Sequence, residues 1–283
     1  MEPVQEHVDR GTDQVGLQVY PSPDDAPTLA LLWPAMGVPA RYYRPFAAAL
    51  SAAGLAVAVA DLRGTGASTP PPGRASRYGL ADLVDDVDAV LTALKPRRAG
   101  RRTVLIGHSL GGQACALHLA ARGTGTDLDA DVAGLALLAV GLPYWRSYPA
   151  RRRSQILALT QSLAATSAVL GVWPGWGFGG RQARGVIRDW AYTARAGRYP
   201  VMGGVDPEAA LAGVTTPVLA VDMEGDQYTP APTIDKLVAK MSSAPVTRSH
   251  YSAAEAGAPI DHFKWARNGA PLAARVAAWT QSL

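Results

Sequence analysis

One cysteine, Cys115, stands among 283 residues. A lone thiol excludes an internal disulfide and fits a reducing compartment. Long hydrophobic runs are as scarce. No stretch approaches the roughly 18–20 uncharged residues needed to span a bilayer. The opening segment MEPVQEHVDRGTDQ lacks the basic start and apolar middle of a secretory signal. Together these features predict a cytoplasmic protein with no membrane engagement. No His or Cys cluster has metal-ligand spacing, so no metal site is expected. No G-x-x-x-x-G-K loop or dinucleotide fingerprint occurs, and no cofactor is expected. The basic excess is small, 27 Lys and Arg against 23 Asp and Glu, and most of it is arginine. It accompanies no nucleic-acid-binding motif, so nucleic acid is not an expected partner. Glycine and proline are scattered without a fixed period, which argues against tandem repeats.

What the chain does have is alternation. Residues 3–22 read as a hairpin around RGTDQ. TLALLWPAMG (28–37), LAVAVAD (55–61), RTVLIGH (102–108) and VAGLALLAVG (132–141) are near-continuous apolar runs, the pattern of strands buried on both faces. Helical segments separate them. In 79–94, Leu83, Val87, Val90, Leu91 and Leu94 share one face. The rhythm breaks from Leu142 to about Ala212, a stretch rich in Trp, Tyr, Arg and Gly with helical pieces around 153–169 and 181–197. It resumes with strands at TTPVLAVDMEG and APVTRSHY, each followed by a helix. The predicted fold class is α/β, a mostly parallel central sheet flanked by helices. One core domain, 1–141 with 213–283, is interrupted by a helical insertion, 142–212. Placed after a strand at the carboxyl edge of the sheet, that insertion is a candidate lid over the ligand crevice.

The sharpest motif is GHSLG, residues 107–111, a G-x-S-x-G nucleophile elbow between a strand and a helix. A serine on a strained turn leaves no room for side chains on either side, which explains the flanking glycines, and the helix start directs its positive dipole end toward developing negative charge. GHSLGG together with DLRGTGAS (61–68) resembles the α/β-hydrolase family over nearly the whole chain. PAMGVPARYYRPFA, PYWRSYP and GFGGRQARGVIRDWA further resemble a bacterial subgroup of predicted hydrolases. The D-x-R-G-x-G-x-S stretch reads as a tight structural loop beside the elbow, its glycines suited to unusual backbone angles.

The resemblance implies a chain order of Ser, then Asp or Glu, then His. Asp226 occupies the loop after a late strand where similar hydrolases place the acid, with Glu224 the second choice; Asp222 falls inside the strand pattern. His262, in IDHFKW, resembles the family's catalytic histidine, and His250, ending the strand APVTRSHY, is the alternative base. An oxyanion hole needs two backbone N–H groups. Leu110, following the nucleophile, would supply one. The turn Pro34-Ala35-Met36-Gly37 would supply the other, and Pro34 has no N–H, which leaves Met36 favoured and Ala35 as the alternative.

Within the insertion, Trp145, Trp176 and Trp190, with Trp173, Phe178 and Tyr192, are candidates to line an apolar acyl pocket. Arg151–Arg153, Arg181, Arg184 and Arg188 could bind a phosphate-bearing thioester carrier or an acidic protein. The expected activity is hydrolysis of a small-molecule carboxylic ester or thioester through a Ser-His-Asp triad. Two alternatives share the fold: an acyltransferase or cyclase using the same triad, and a non-catalytic ligand-binding protein.

Overall fold

The structure, a computed structural model, describes residues 2–23, 25–122 and 132–283. Among the described residues ten strands run in chain order. They are β1 (Val4–Arg10), β2 (Asp13–Val19), β3 (Thr28–Trp33), β4 (Ala56–Ala60), β5 (Arg102–His108), β6 (Val132–Leu138), β7 (Val172–Trp173), β8 (Gln182–Ala183), β9 (Val218–Met223) and β10 (Val246–Tyr251). Eight form one sheet in the order β1-β2-β4-β3-β5-β6-β9-β10, while β7 and β8 pair only with each other. From β4 to β10 every neighbouring pair is parallel; β2 runs antiparallel to both β1 and β4. The hairpin turns at Gly11, whose φ of 78° suits a residue without Cβ.

The helices are α1 (Arg44–Ala52), α2 (Leu80–Ala93), α3 (Lys95–Arg98), α4 (Leu110–Arg122), α5 (Arg153–Leu170), α6 (Arg184–Ala196), α7 (Pro207–Ala212), α8 (Ala231–Val238), α9 (Ala253–Ala256) and α10 (Ala270–Gln281). Strand residues alternate between the two faces of the sheet. Leu29, Leu31 and Trp33 join one apolar cluster with Leu83, Val87 and Leu91 of α2 and with α4. Ala30 and Leu32 join the other, with Phe46 and Leu50 of α1 and Leu272 and Val276 of α10. Both faces are therefore covered, which is why the strands read as unbroken apolar runs.

Two strands stop earlier than their apolar runs. β3 ends at Trp33, before Pro34, and β6 ends at Leu138, before Ala139 with its φ of 52°. Ala35, Met36, Ala139 and Val140 beyond those ends are buried all the same, so apolar composition continued where strand geometry did not. Between β6 and β9 the chain leaves the sheet for α5, the β7–β8 pair, α6 and α7. The predicted helical piece 181–197 is shortened at its start, because Gln182 and Ala183 pair with Trp173 and Val172. α7 packs against α4 of the core. No helix among the described residues is long and apolar enough to cross a membrane.

Candidate active site

Ser109 follows β5, at the carboxyl end of the sheet, with a φ of 51°. Few residues with a Cβ adopt that conformation, and it stores about 1–3 kcal/mol that the surroundings must sustain. The turn is enforced by close approach on both sides. A Cβ on Gly107 would lie 2.1 Å from Gly112 Cα, and one on Gly111 would lie 2.4 Å from the Pro34 carbonyl oxygen. Gly111 N–H donates to that same oxygen at 3.1 Å. The elbow and the turn after β3 thus lock together backbone to backbone.

The turn after β3 contains both candidate oxyanion donors. Ala35 N–H is already committed, donating to the Tyr43 hydroxyl at 3.0 Å. Met36 N–H has no acceptor among the described residues. Leu110 is the first residue of α4, so its N–H has no carbonyl one helical turn behind it. The geometry leaves Met36 and Leu110 as the open amides. Tyr43 itself is fully buried, and its hydroxyl lies 2.7 Å from His108 Nδ1. Having accepted from Ala35, the hydroxyl has its own proton to give to Nδ1. Burial, reinforced by the neighbouring His262, pushes His108 well below the ordinary histidine range, and the imidazole stays neutral.

Asp226 lies in the loop after β9 and His262 between α9 and α10, 9% and 4% exposed respectively. His262 Nδ1 stands 2.8 Å from Asp226 Oδ2. The Tyr228 and Thr229 amides donate to Asp226 Oδ1 at 2.7 and 2.9 Å, and the Thr229 hydroxyl donates to Oδ2. Burial alone would raise the carboxyl pKa, but the His262 contact and the Thr229 donors outweigh it and hold Asp226 below its usual range. With Nδ1 engaged by the carboxylate, Nε2 is the nitrogen left to face a substrate or a serine. Ser109, Leu110, Met36 and His262 all line a single cavity of about 100 Å³.

The other candidates lie elsewhere. His250 is more than half exposed on β10 and sits 2.5 Å from Asp222 of the adjacent strand, its direct register partner. Glu224 accepts the Ala253 amide at 2.7 Å on the surface. The cavity walls also differ from the predicted set. Trp190 lines the cavity, but Trp145 and Trp176 do not. Trp176 is 66% exposed, turned outward against the edge of Trp173, and Trp145 sits under the Arg146 guanidinium. Phe178, also among the candidates, lines it too, and beside it stand Tyr228 and Phe263, which neither spacing nor composition singles out. Phe178 stacks on Trp190 at 5.3 Å and meets Tyr228 at 5.9 Å; Tyr228 in turn lies 5.2 Å from the His262 ring.

The insertion touches this centre at several points. Gly179 approaches Gly37 so closely that a Cβ on Gly37 would lie 2.2 Å from the Gly179 oxygen. The Tyr148 hydroxyl donates to the Tyr228 carbonyl at 2.6 Å, and Asp189 of α6 accepts the Leu80 amide that opens α2 at 3.0 Å. The D-x-R-G-x-G-x-S loop stays outside the cavity. Asp61 accepts the Ala40 and Ala67 amides at 2.6 and 2.9 Å, and Arg63 engages Asp86, Nε to Oδ2 at 2.9 Å, as well as Asp13. Among the described residues no group of three or more His, Cys, Asp or Glu is arranged to hold a metal ion.

A mostly parallel eight-stranded sheet in this order, with helices on both faces, defines an α/β-hydrolase. The chain belongs to the Hydrolase_4 family, described as serine aminopeptidase, S33, which matches residues 30–255. No curated protein matches the sequence. Among solved structures the fold is similar to a thioesterase domain from the curacin biosynthetic pathway, with a TM-score of 0.64 and 16% identity over 98% of this chain and 100% of that one. It is similar also to Est1E from Butyrivibrio proteoclasticus with ferulic acid bound, with a TM-score of 0.65 and 15% identity over 98% and 100% of the two chains. A third is the monoacylglycerol lipase of Paleococcus ferrophilus, with a TM-score of 0.62 and 16% identity over 95% and 98%. At such identities the likeness is one of fold.

Proposed function

We propose that the protein is a serine hydrolase of carboxylic esters or thioesters, with Ser109 as nucleophile, His262 as base and Asp226 as its orienting acid. The observation that carries this reading is the buried His262–Asp226 pair, 2.8 Å apart, opening onto the cavity that holds the strained Ser109. His262 Nε2 takes the Ser109 proton as Oγ attacks the acyl carbonyl. Asp226 fixes the tautomer and stabilises the imidazolium that forms. The oxyanion lies against the Met36 and Leu110 amides, at the N-terminus of α4. His262 returns the proton to the leaving group, and a water activated by the same nitrogen then releases the acid from the acyl-enzyme. Residues 142–212 act as the lid, closing the cavity with Phe178, Trp190 and the start of α5.

The charge in the cavity favours an ester over a peptide amino end. An aminopeptidase must hold a cationic α-amino group, yet among the described residues lining this cavity there is no carboxylate, and their one permanent charge is the Arg152 guanidinium. The test needs no knowledge of the substrate. A fluorophosphonate probe is added, the adduct is located by peptide mass spectrometry, and the experiment is repeated with Ser109→Ala and His262→Ala. Labelling at Ser109 that both variants abolish is the expected result. A folded wild type that resists the probe would favour the non-catalytic ligand-binding alternative.

A further inference from the structure

Three consecutive arginines, Arg151, Arg152 and Arg153, lead into the insertion's longest helix, which begins at Arg153. The N-terminus of a helix is its positive end, where anions are stabilising and cations are not. The first turn of α5 has no acid to compensate, and Arg152, at the cap position, makes no capping bond. The three side chains have different fates. Arg151 and Arg153 are exposed, and Arg153 Nε turns back to the Tyr148 carbonyl at 3.0 Å. Arg152 is half-buried and lines the cavity that contains Ser109 and His262.

Arg152 lies four residues before Ile156, with Leu159 and Thr160 following on the same face of α5, and all four line the cavity. One guanidinium N–H, on Nη1, donates to the Gln227 carbonyl at 3.0 Å and holds the side chain beside the Asp226 loop. A guanidinium has five N–H donors. The other four have no acceptor among the described residues, and no carboxylate pairs with the charge. The guanidinium stands at the cavity wall beside Ile156 and Leu159, still open to solvent, so an anion entering the cavity meets an uncompensated charge. The fork of an arginine fits the two oxygens of a carboxylate or phosphate.

We propose that Arg152 is an anion subsite of this cavity, so that the acyl substrate carries a carboxylate or phosphate group away from its scissile bond; this rests on the reading of Ser109 as the nucleophile. A carboxylate would sit at the far end of the acyl chain, as in a half-ester of a dicarboxylic acid. A phosphate would belong to the carrier of a thioester. In either case the charge-assisted fork, not the apolar walls, selects among substrates of similar length.

The experiment compares three fluorophosphonate probes of equal chain length, tipped with methyl, carboxylate or phosphate, by their rates of Ser109 labelling. In the wild type, one anionic tip should label at least about tenfold faster than methyl, the effect of one charge-assisted hydrogen bond. That ratio should fall to about one in Arg152→Gln, which can still reach the Gln227 carbonyl, and partly survive in Arg152→Lys. The faster of the two anionic tips names the source of the anion. If Arg152 only latches α5 to the Asp226 loop, Arg152→Gln will leave the ratio of the three probes intact, which overturns the proposal. A wild-type ratio near one overturns it too. Failure of every probe to label Ser109 in the folded protein would instead sink the hydrolase reading on which it rests.

Discussion

Replacing Tyr43 with phenylalanine removes one oxygen and should disturb stability and catalysis by separate routes. The ring is fully buried against His108 and Trp265, and phenylalanine keeps that packing. What is lost is the hydroxyl joining the Ala35 amide, at 3.0 Å, to His108 Nδ1, at 2.7 Å. Both partners become buried polar groups without a bond, each costing about 1–3 kcal/mol, so the variant should be less stable by about 2–6 kcal/mol. The catalytic effect follows from the turn. Without Tyr43 the Ala35 amide is free to rotate, and Met36, the next residue along, loses the anchor that aims its own N–H.

Deleting an oxyanion donor costs about 10²–10³ in kcat, and a misdirected donor should cost less, about 10–100-fold. KM should stay within about twofold, because the donor acts on charge that develops only in the transition state. Urea unfolding measures the first quantity. The rate of Ser109 phosphonylation, with ester hydrolysis once a substrate is found, measures the second. A folded Tyr43→Phe enzyme that labels at the wild-type rate would refute the assignment of the 34–37 turn to the oxyanion hole, whatever its stability.

Four further perturbations separate the parts of the site. His262→Ala should abolish Ser109 labelling while His250→Ala leaves it within about twofold, since His250 lies exposed beside Asp222 and away from the cavity; the reverse pattern would move the base to β10. Asp226→Asn should lower turnover by about 10⁴ through the wrong histidine tautomer. Because the folded Asp226 carboxyl is held below its ordinary value, its contribution to stability is complete above about pH 4 and is lost as pH falls through the folded pKa. The gap in urea midpoint between wild type and Asp226→Asn should therefore narrow in acid, and a gap that widens there would contradict the sign. Gly37→Ala places a Cβ 2.2 Å from the Gly179 oxygen at a φ of 70°; it should destabilise the protein in thermal unfolding and slow labelling, by parting the insertion from the turn after β3. Arg63→Met leaves Asp86, buried without exposure, short of its main partner, and should cost about 3–5 kcal/mol in urea unfolding, with labelling per folded molecule unchanged.

Sequence pattern and structure agree where a residue's task depends on its immediate neighbours, and part where it depends on the phase of a distant element. Gly107, Ser109 and Gly111 are readable because the steric demand of the elbow lies within five residues. The alternation of strands and helices is readable because each strand is apolar on both faces. Which of the insertion's aromatics wall the cavity was not readable in this way. Trp176 and Phe178 stand two residues apart, yet one is largely exposed and the other lines the cavity. The difference is set by the short β7–β8 pair and by the approach of Gly179 to Gly37, neither of which leaves a periodic signal. The same holds for the arginines that lead into α5. Apolar residues lie around much of that helix, with Leu159 and Val169 exposed and Leu163 buried, so hydrophobic spacing does not say which side faces the core. Only when Ile156 and Thr160 are seen beneath the cavity does Arg152 separate from Arg151 and Arg153. The proposed catalytic groups are thus specified by local chemistry carried on a common fold. In the proposed reading, what distinguishes one substrate from another is carried by side chains of the insertion whose orientation depends on how that segment packs, and variation there should change specificity without touching Ser109, His262 or Asp226.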